Sequence, residues 1–205
     1  MSDQKYALKA LVLLGNLKSG HEPSNTGELV EQVCGYLKKD TVECETVSLF
    51  DLNVLPGVKE DMGPGDEWPL VAKKIRACDI LILASPVWWT GHCSVLQRAI
   101  ERMDAFDEEY RSTGISPLYN KVGGVVTTGS EDGALKVIDQ ICGFFMWLGL
   151  TVPPESAAYW TGEVGAAAGQ ERALRAKNQY VDTLAKKMAR NLAAYARLLK
   201  EHRPL

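Results

Sequence analysis

Three short segments combine residue types that suit the binding of one phosphorylated aromatic ligand. The first, Gly15-Asn16-Leu17-Lys18-Ser19-Gly20-His21-Glu22-Pro23-Ser24-Asn25-Thr26, joins an apolar run to a helical pattern. A phosphate placed there meets free backbone N–H groups at a helix N-terminus and the positive end of its dipole. Ser24, Asn25 and Thr26 add short polar side chains, and Lys18 adds charge. Gly15 and Gly20 have the spacing of a Walker A loop, yet His21-Glu22 stands where Lys-Ser/Thr is required, which argues against nucleoside triphosphate hydrolysis. A Gly-x-Gly-x-x-Gly fingerprint is missing, and Asn16 offers no carboxylate for a receiver-type phosphorylation site. The plainer account is a helix cap at Ser24 or Asn25, with Glu28 completing a capping box from Asn25.

The second segment is Ser85-Pro86-Val87-Trp88-Trp89-Thr90-Gly91. Adjacent tryptophans between Pro and Gly are unusual at a strand end, where loops are normally polar. Trp88 or Trp89 offers an apolar wall for a planar ring such as an isoalloxazine, and Gly91 permits close backbone approach; core or subunit-interface tryptophans are the competing account. The third segment, Thr127-Thr128-Gly129-Ser130-Glu131-Asp132-Gly133, has two glycines whose N–H groups suit the polar edge of such a ring. Asp132 caps the next helix or joins the site, and Glu131 meets a ribityl chain or solvent; both alternatives stay open.

The elements that would position these loops are legible from periodicity. Leu11-Val12-Leu13-Leu14, Ile80-Leu81-Ile82-Leu83 and Val122-Gly123-Gly124-Val125-Val126 are apolar runs without alternation, as in strands covered on both faces. The segment 41–50 alternates and suits a strand nearer an edge. A fifth strand is expected from Leu150-Thr151-Val152 into Pro153-Pro154. Helical stripes lie between: Leu29, Val33 and Leu37; residues 68–77; Leu96, Ala99, Ile100 and Met103; Leu135, Ile138, Ile141, Cys142 and Phe145; and Val181 to Leu199. Strands alternating with helices predict a three-layer α/β fold, one domain over residues 1–205, with a doubly wound five-stranded parallel sheet of order 2-1-3-4-5. In that order a ligand sits where the connections after strands one and three diverge. The stretch 51–67, rich in Gly and Pro, reads as a surface loop.

Composition narrows the function classes. A net charge of −3 over 205 residues supplies no basic field for nucleic acid. No run reaches the roughly 18 apolar residues of a membrane span, and the first residues lack a signal-peptide pattern, so a cytoplasmic address is expected. Five scattered cysteines without Cys-x-x-Cys predict neither zinc nor an iron–sulfur cluster, and read as reduced, mostly buried thiols. His21, His92 and His202 are scattered and read as surface or capping residues, so no catalytic side chain is assigned.

On Leu17-Lys18 with Ser24-Asn25-Thr26, then Ser85-Pro86-Val87-Trp88-Trp89, then Thr128-Gly129-Ser130-Glu131-Asp132-Gly133, the chain resembles the flavodoxin-like NAD(P)H-dependent FMN reductases along nearly its whole length. The resemblance implies a flavodoxin-like fold, non-covalent FMN in these three loops, NAD(P)H as co-substrate and hydride transfer to a small acceptor such as a quinone. It also implies a homodimer or homotetramer, for which Trp147, Tyr159, Trp160 and the segment 162–169 are candidate interface residues, with a core position the equal alternative for Trp147. A flavodoxin-type electron carrier and a non-catalytic flavin-binding regulator are the alternatives. The family's Gly-Ser-x-Arg stands here as Gly15-Asn16-Leu17-Lys18, which loses the bidentate fork of arginine.

Overall fold

A computed structural model describes residues 8–19, 22–130, 133–162 and 168–205. Five strands lie parallel: β1 (Leu8–Leu14), β2 (Val42–Ser48), β3 (Ile80–Trp88), β5 (Val122–Gly129) and β6 (Ala157–Thr161), in the order β2-β1-β3-β5-β6. The skipped number is β4 (Gly91–His92), a two-residue strand that turns back antiparallel on the end of β3. The expected winding is therefore present, with one small hairpin added at the ligand edge.

Helices α1 (Asn25–Lys39) and α7 (Gln179–His202) cover one face of the sheet; α2 (Trp68–Ala77), α3 (Ser94–Arg102), α4 (Ala105–Thr113) and α5 (Ala134–Leu148) cover the other. A further helix, α6 (Ala168–Ala176), precedes α7. The strand residues divide by parity: Val12, Ile82 and Val126 pack beneath α1 and α7, while Leu13, Leu83 and Val125 pack beneath the opposite layer. That is why these runs read as continuous rather than alternating. None of the described helices is long and apolar enough to cross a membrane.

In β5, Gly123 and Gly124 let the layers approach closely. A Cβ at Gly124 would lie 2.8 Å from Leu192 Cδ1, and one at Gly123 would lie 2.5 Å from Phe145 Cδ2. Gly124→Val is expected to destabilise the protein by about 1–3 kcal/mol through overpacking, read as a lowered urea midpoint at unchanged slope. An unchanged midpoint would refute the close packing of α7 on β5.

Three expectations are corrected. The last strand does not run from Leu150 into Pro153-Pro154: Thr151 makes one isolated bridge to Val122, and the ladder resumes at Ala157. The prolines have no N–H to donate, so pairing breaks across them. Leu135 is not on the buried stripe of α5; it is 67% exposed, while Ala134, Val137, Ile141 and Phe145 are buried. The loop 51–67 lies at the surface as expected and is anchored inward at one side chain. Asp66 within it is fully buried against Arg102 of α3, which also donates to the carbonyls of Leu55, Lys59 and Glu60. Finally, Cys34 of α1 and Cys44 of β2 form a disulfide with Cα atoms 5.7 Å apart, because the short connection folds α1 back onto β2. Cys78, Cys93 and Cys142 are free thiols. Burial pushes the Cys78 thiol up to about 12, so it is inert as a nucleophile.

Candidate active site

The carboxyl ends of β1, β3 and β5 lie side by side, and the three loops singled out above leave from them. The first is tied down at its start. Gly15 N donates to Ala84 O at 2.7 Å, and Cys93 Sγ donates to Gly15 O at 2.6 Å. A Cβ on Gly15 would lie 2.6 Å from Leu96 Cβ, so only glycine fits beneath α3. Asn16 is 3% exposed. The loop ends at Ser24, whose extended backbone and side chain cap α1, with Ser24 Oγ accepting from Gly27 N at 3.2 Å. The cap is therefore Ser24 and not Asn25. Glu28 makes no capping box; it pairs with Arg175 at 2.6 Å and Arg172 at 3.3 Å from α6. Lys18 Nζ donates to Pro23 O at 2.6 Å and closes the loop on itself.

The second loop carries two residues with left-handed backbone, Trp89 (φ 48°) and Thr90 (φ 64°). A two-residue hairpin turn between Trp88 and Gly91 demands this pair of positive φ values, normally supplied by Asn-Gly. Holding bulky residues there costs about 1–3 kcal/mol each. Ser85 braces the turn's base, with Oγ accepting from Cys93 N at 2.9 Å and donating to Pro86 O at 2.7 Å. Trp88 is half exposed and Trp89 is 96% exposed, so neither belongs to the core.

The third loop meets the other two directly. Thr128 Oγ1 and Thr26 Oγ1 share a buried hydrogen bond of 2.7 Å, which joins the first loop to the end of β5. A Cβ at Gly129 would lie 2.9 Å from Val87 Cβ, and Gly133, at φ 94°, would place one 2.9 Å from Thr90 Cα. Glu131 and Asp132 lie outside the described residues.

Together the loops enclose a cavity of about 560 Å³, within the usual range for a small-molecule site. Asn16, Leu17, Lys18, Ser24, Asn25 and Thr26 form one side; Pro86, Val87, Trp88 and Trp89 form the second; Thr128 and Gly129 form the third. Thr90 and Ser130 also line it and were not anticipated, because a hydroxyl inside a turn carries no distinct sequence signal. Gly91 shapes the hairpin instead of lining the cavity, and Gly133 lines a neighbouring one.

Two buried polar atoms on these walls have no partner among the described residues, the Asn16 Nδ2 donor and the Asn25 Oδ1 acceptor. A buried unpaired polar group costs about 1–3 kcal/mol, and both atoms suit the polar chain of a bound ligand. Among the described residues no group of three or more His, Cys, Asp or Glu is arranged to hold a metal. His92 Nε2 and Gln97 Oε1 share a hydrogen bond of 2.6 Å, and His202 is exposed; His21 lies outside the described residues.

A parallel five-stranded sheet with this switch-point cavity defines a flavodoxin-like protein, and the profile of the NADPH-dependent FMN reductase family matches residues 8–165. The chain belongs to that family, so it is a flavoprotein oxidoreductase; the family uses FMN and NAD(P)H. Among curated proteins it is 32% identical over 204 residues to the 8-demethyl-8-aminoriboflavin-5'-phosphate synthase of Streptomyces davaonensis, covering 95% of this chain and 79% of the relative. It is 26% identical to an iron-sulfur flavoprotein of Methanocaldococcus jannaschii, over 92% of this chain and 99% of the relative. Among solved structures, RosB with bound 8-demethyl-8-formylriboflavin-5'-phosphate superposes with a TM-score of 0.87 at 32% identity, covering 96% of this chain and 81% of that one. The apo form of an NADH:FMN oxidoreductase superposes at 0.70 with 13% identity, over 92% and 89% of the two chains, and supports the fold alone.

Proposed function

We propose that the cavity holds FMN non-covalently and that the chain transfers hydride from NAD(P)H through it to a small oxidant of quinone type. The observation that carries this reading is the convergence of three loops, locked by the Thr26–Thr128 bond, around unpaired amide groups of Asn16 and Asn25. The phosphate belongs with Ser24, Asn25 and Thr26 at the start of α1, where helical N–H groups are free to donate. Lys18 contributes charge from the loop, its ammonium already oriented by Pro23 O. Trp88 supplies the apolar wall for the ring, and Gly129 lets the backbone reach its polar edge. Glu131, Asp132 and Gly133 are further candidates for the polar edge of the ring, the first two outside the described residues and Gly133 on the wall of the neighbouring cavity. Bound FMN supplies the hydride chemistry; the protein supplies position, electrostatics and exclusion of water.

The exposed face of α5, with Met146 and with Trp147 at 93% exposure, supports a homodimer or homotetramer built on that helix. Trp160 is better explained by packing against the core under α1 and α7, and most of the segment 162–169 lies outside the described residues.

The test is the visible spectrum of the purified protein with added FMN, followed anaerobically as NADPH is supplied. Prompt two-electron bleaching is expected. A stable one-electron form with sluggish pyridine nucleotide reaction would favour the electron carrier, and a flavin that NAD(P)H never bleaches would favour the non-catalytic regulator.

A second reading draws on the 32% identity to a protein whose name describes a synthase of a modified flavin phosphate. There the flavin is substrate. Mass spectrometry of the flavin recovered after turnover separates the two: unchanged FMN supports the reductase, and a new flavin mass supports the synthase.

A further inference from the structure

We infer that a second cavity beside the first is the anion subsite for the nucleotide reductant, with Lys136 as its specificity-determining residue. The inference rests on the flavin reading above and names what that reading leaves open, how the reductant is recognised beyond its nicotinamide.

The second cavity measures about 600 Å³, comparable in size to the first. Thr90 lines both, so the strained turn at 88–91 is the partition between them. Its position is fixed from two sides. Gly133 packs against Thr90 so closely that a Cβ would come within 2.9 Å of Thr90 Cα, and Lys136 Nζ donates to Thr90 Oγ1 at 3.1 Å. A molecule with one end over the ring in the first cavity therefore meets Lys136 as soon as it crosses the turn.

The second cavity offers a cation with which an anion can pair. Among its described lining residues Lys136 is the one charged group, and the polar side chains around it are the hydroxyls of Thr90, Thr161 and Tyr159. The exposed Leu135 and the Tyr159 ring, which meets Tyr180 edge-on at 6.4 Å, give a purine an apolar surface to lie on. Leu135 thus departs from the core stripe of α5 and faces this cavity instead. A pyridine dinucleotide has the required form: a planar ring at one end, and phosphates with a purine at the other. The ammonium can reach either its pyrophosphate or a ribose 2′-phosphate.

The experiment compares wild type, Lys136→Gln and Lys136→Arg. The readouts are anaerobic flavin reduction by NADPH and by NADH, FMN dissociation constants, and calorimetric binding of 2′,5′-ADP to the FMN-loaded protein. A charge-assisted contact of this kind supports roughly a tenfold effect. Lys136→Gln is therefore expected to lose about tenfold in kcat/KM for NADPH and in 2′,5′-ADP affinity, with FMN affinity unchanged and Lys136→Arg restoring most of the loss. Loss confined to NADPH assigns Lys136 to the 2′-phosphate; equal loss with NADH assigns it to the pyrophosphate. Unchanged kinetics with both nucleotides overturns the inference, as does a loss of FMN itself, which would place Lys136 in the cofactor site. If the wild type fails to bind FMN, the flavin reading falls, and 2′,5′-ADP binding to the apo-protein still decides the role of Lys136.

Discussion

Replacing Arg102 with methionine lowers the unfolding free energy by about 3–5 kcal/mol at pH 7, the largest loss expected from any single change discussed for this chain. Arg102 and Asp66 are both fully buried, with Nη1 and Nη2 donating to the carboxylate at 3.0 and 2.7 Å. The remaining guanidinium hydrogens go to the carbonyls of Leu55, Lys59 and Glu60, so one side chain pins the whole 51–67 loop. Methionine fills the volume but leaves the Asp66 carboxylate buried without its counter-charge. Equilibrium urea denaturation measures the loss, and a deficit below 1 kcal/mol would show that the pair contributes little. Asp66→Leu in the same chain is expected to recover part of it, because an apolar pair replaces the stranded charge.

The pH dependence follows with a definite sign. Burial alone raises the Asp66 carboxyl, but Arg102 and the backbone N–H groups of Met62, Leu55 and Trp68 overcome it and hold the group well below the usual carboxylate range. A depressed folded value contributes stability that is fully present above the unfolded value near ~4 and is lost as pH falls towards the folded one. The wild type therefore loses this contribution in acid, and the gap to Arg102→Met is widest at neutral pH and narrows below about pH 4. A gap that stays constant from pH 7 to pH 3 would contradict the ion pair as its cause.

The second large effect has opposite signs for stability and binding. Asn16→Leu, close to isosteric, removes a buried donor that has no partner among the described residues. The apo-protein is expected to gain about 1 kcal/mol, since an unpaired buried polar group is costly. FMN affinity is expected to fall by roughly tenfold to a hundredfold, because the same amide is free to serve the ligand. Thermal unfolding of the apo-protein and fluorescence titration with FMN give the two numbers. A parallel change, with both falling or both unaffected, would mean that Asn16 Nδ2 does not face the bound flavin.

Much of the fold is legible in the sequence, for identifiable reasons. The strands at Leu11, Ile80 and Val122 announce themselves because both faces are covered, and each ends at Gly or Pro, where chain direction changes. The loops after them carry residue types that suit a ligand, and the structure brings them to the walls of one cavity while Ser24 also caps α1. What stayed hidden involves pairing across long stretches of chain. Arg102 reads as an ordinary helical cation until Asp66 is placed beside it. Glu28 reads as a capping residue until α6 brings Arg172 and Arg175 to it. Leu135 fits the apolar periodicity of α5 as well as Ala134 does, yet Ala134 is buried and Leu135 is exposed. The delayed start of the last strand follows from proline's missing donor, yet Leu150-Thr151-Val152 alone looks sufficient for a strand.

The bond between Thr26 and Thr128 spans 102 residues of chain. At about 5–20 residues per second of synthesis, the first loop waits roughly 5–20 s for its opposite wall to leave the ribosome. At the proposed site a flavin would therefore be captured only after the sheet has closed, as a final latch and not as a nucleus around which the polypeptide gathers. Once seated at a hundredfold excess over its dissociation constant, such a ligand adds about 2.7 kcal/mol to the finished molecule, so cells short of flavin would carry a more easily degraded population of this protein.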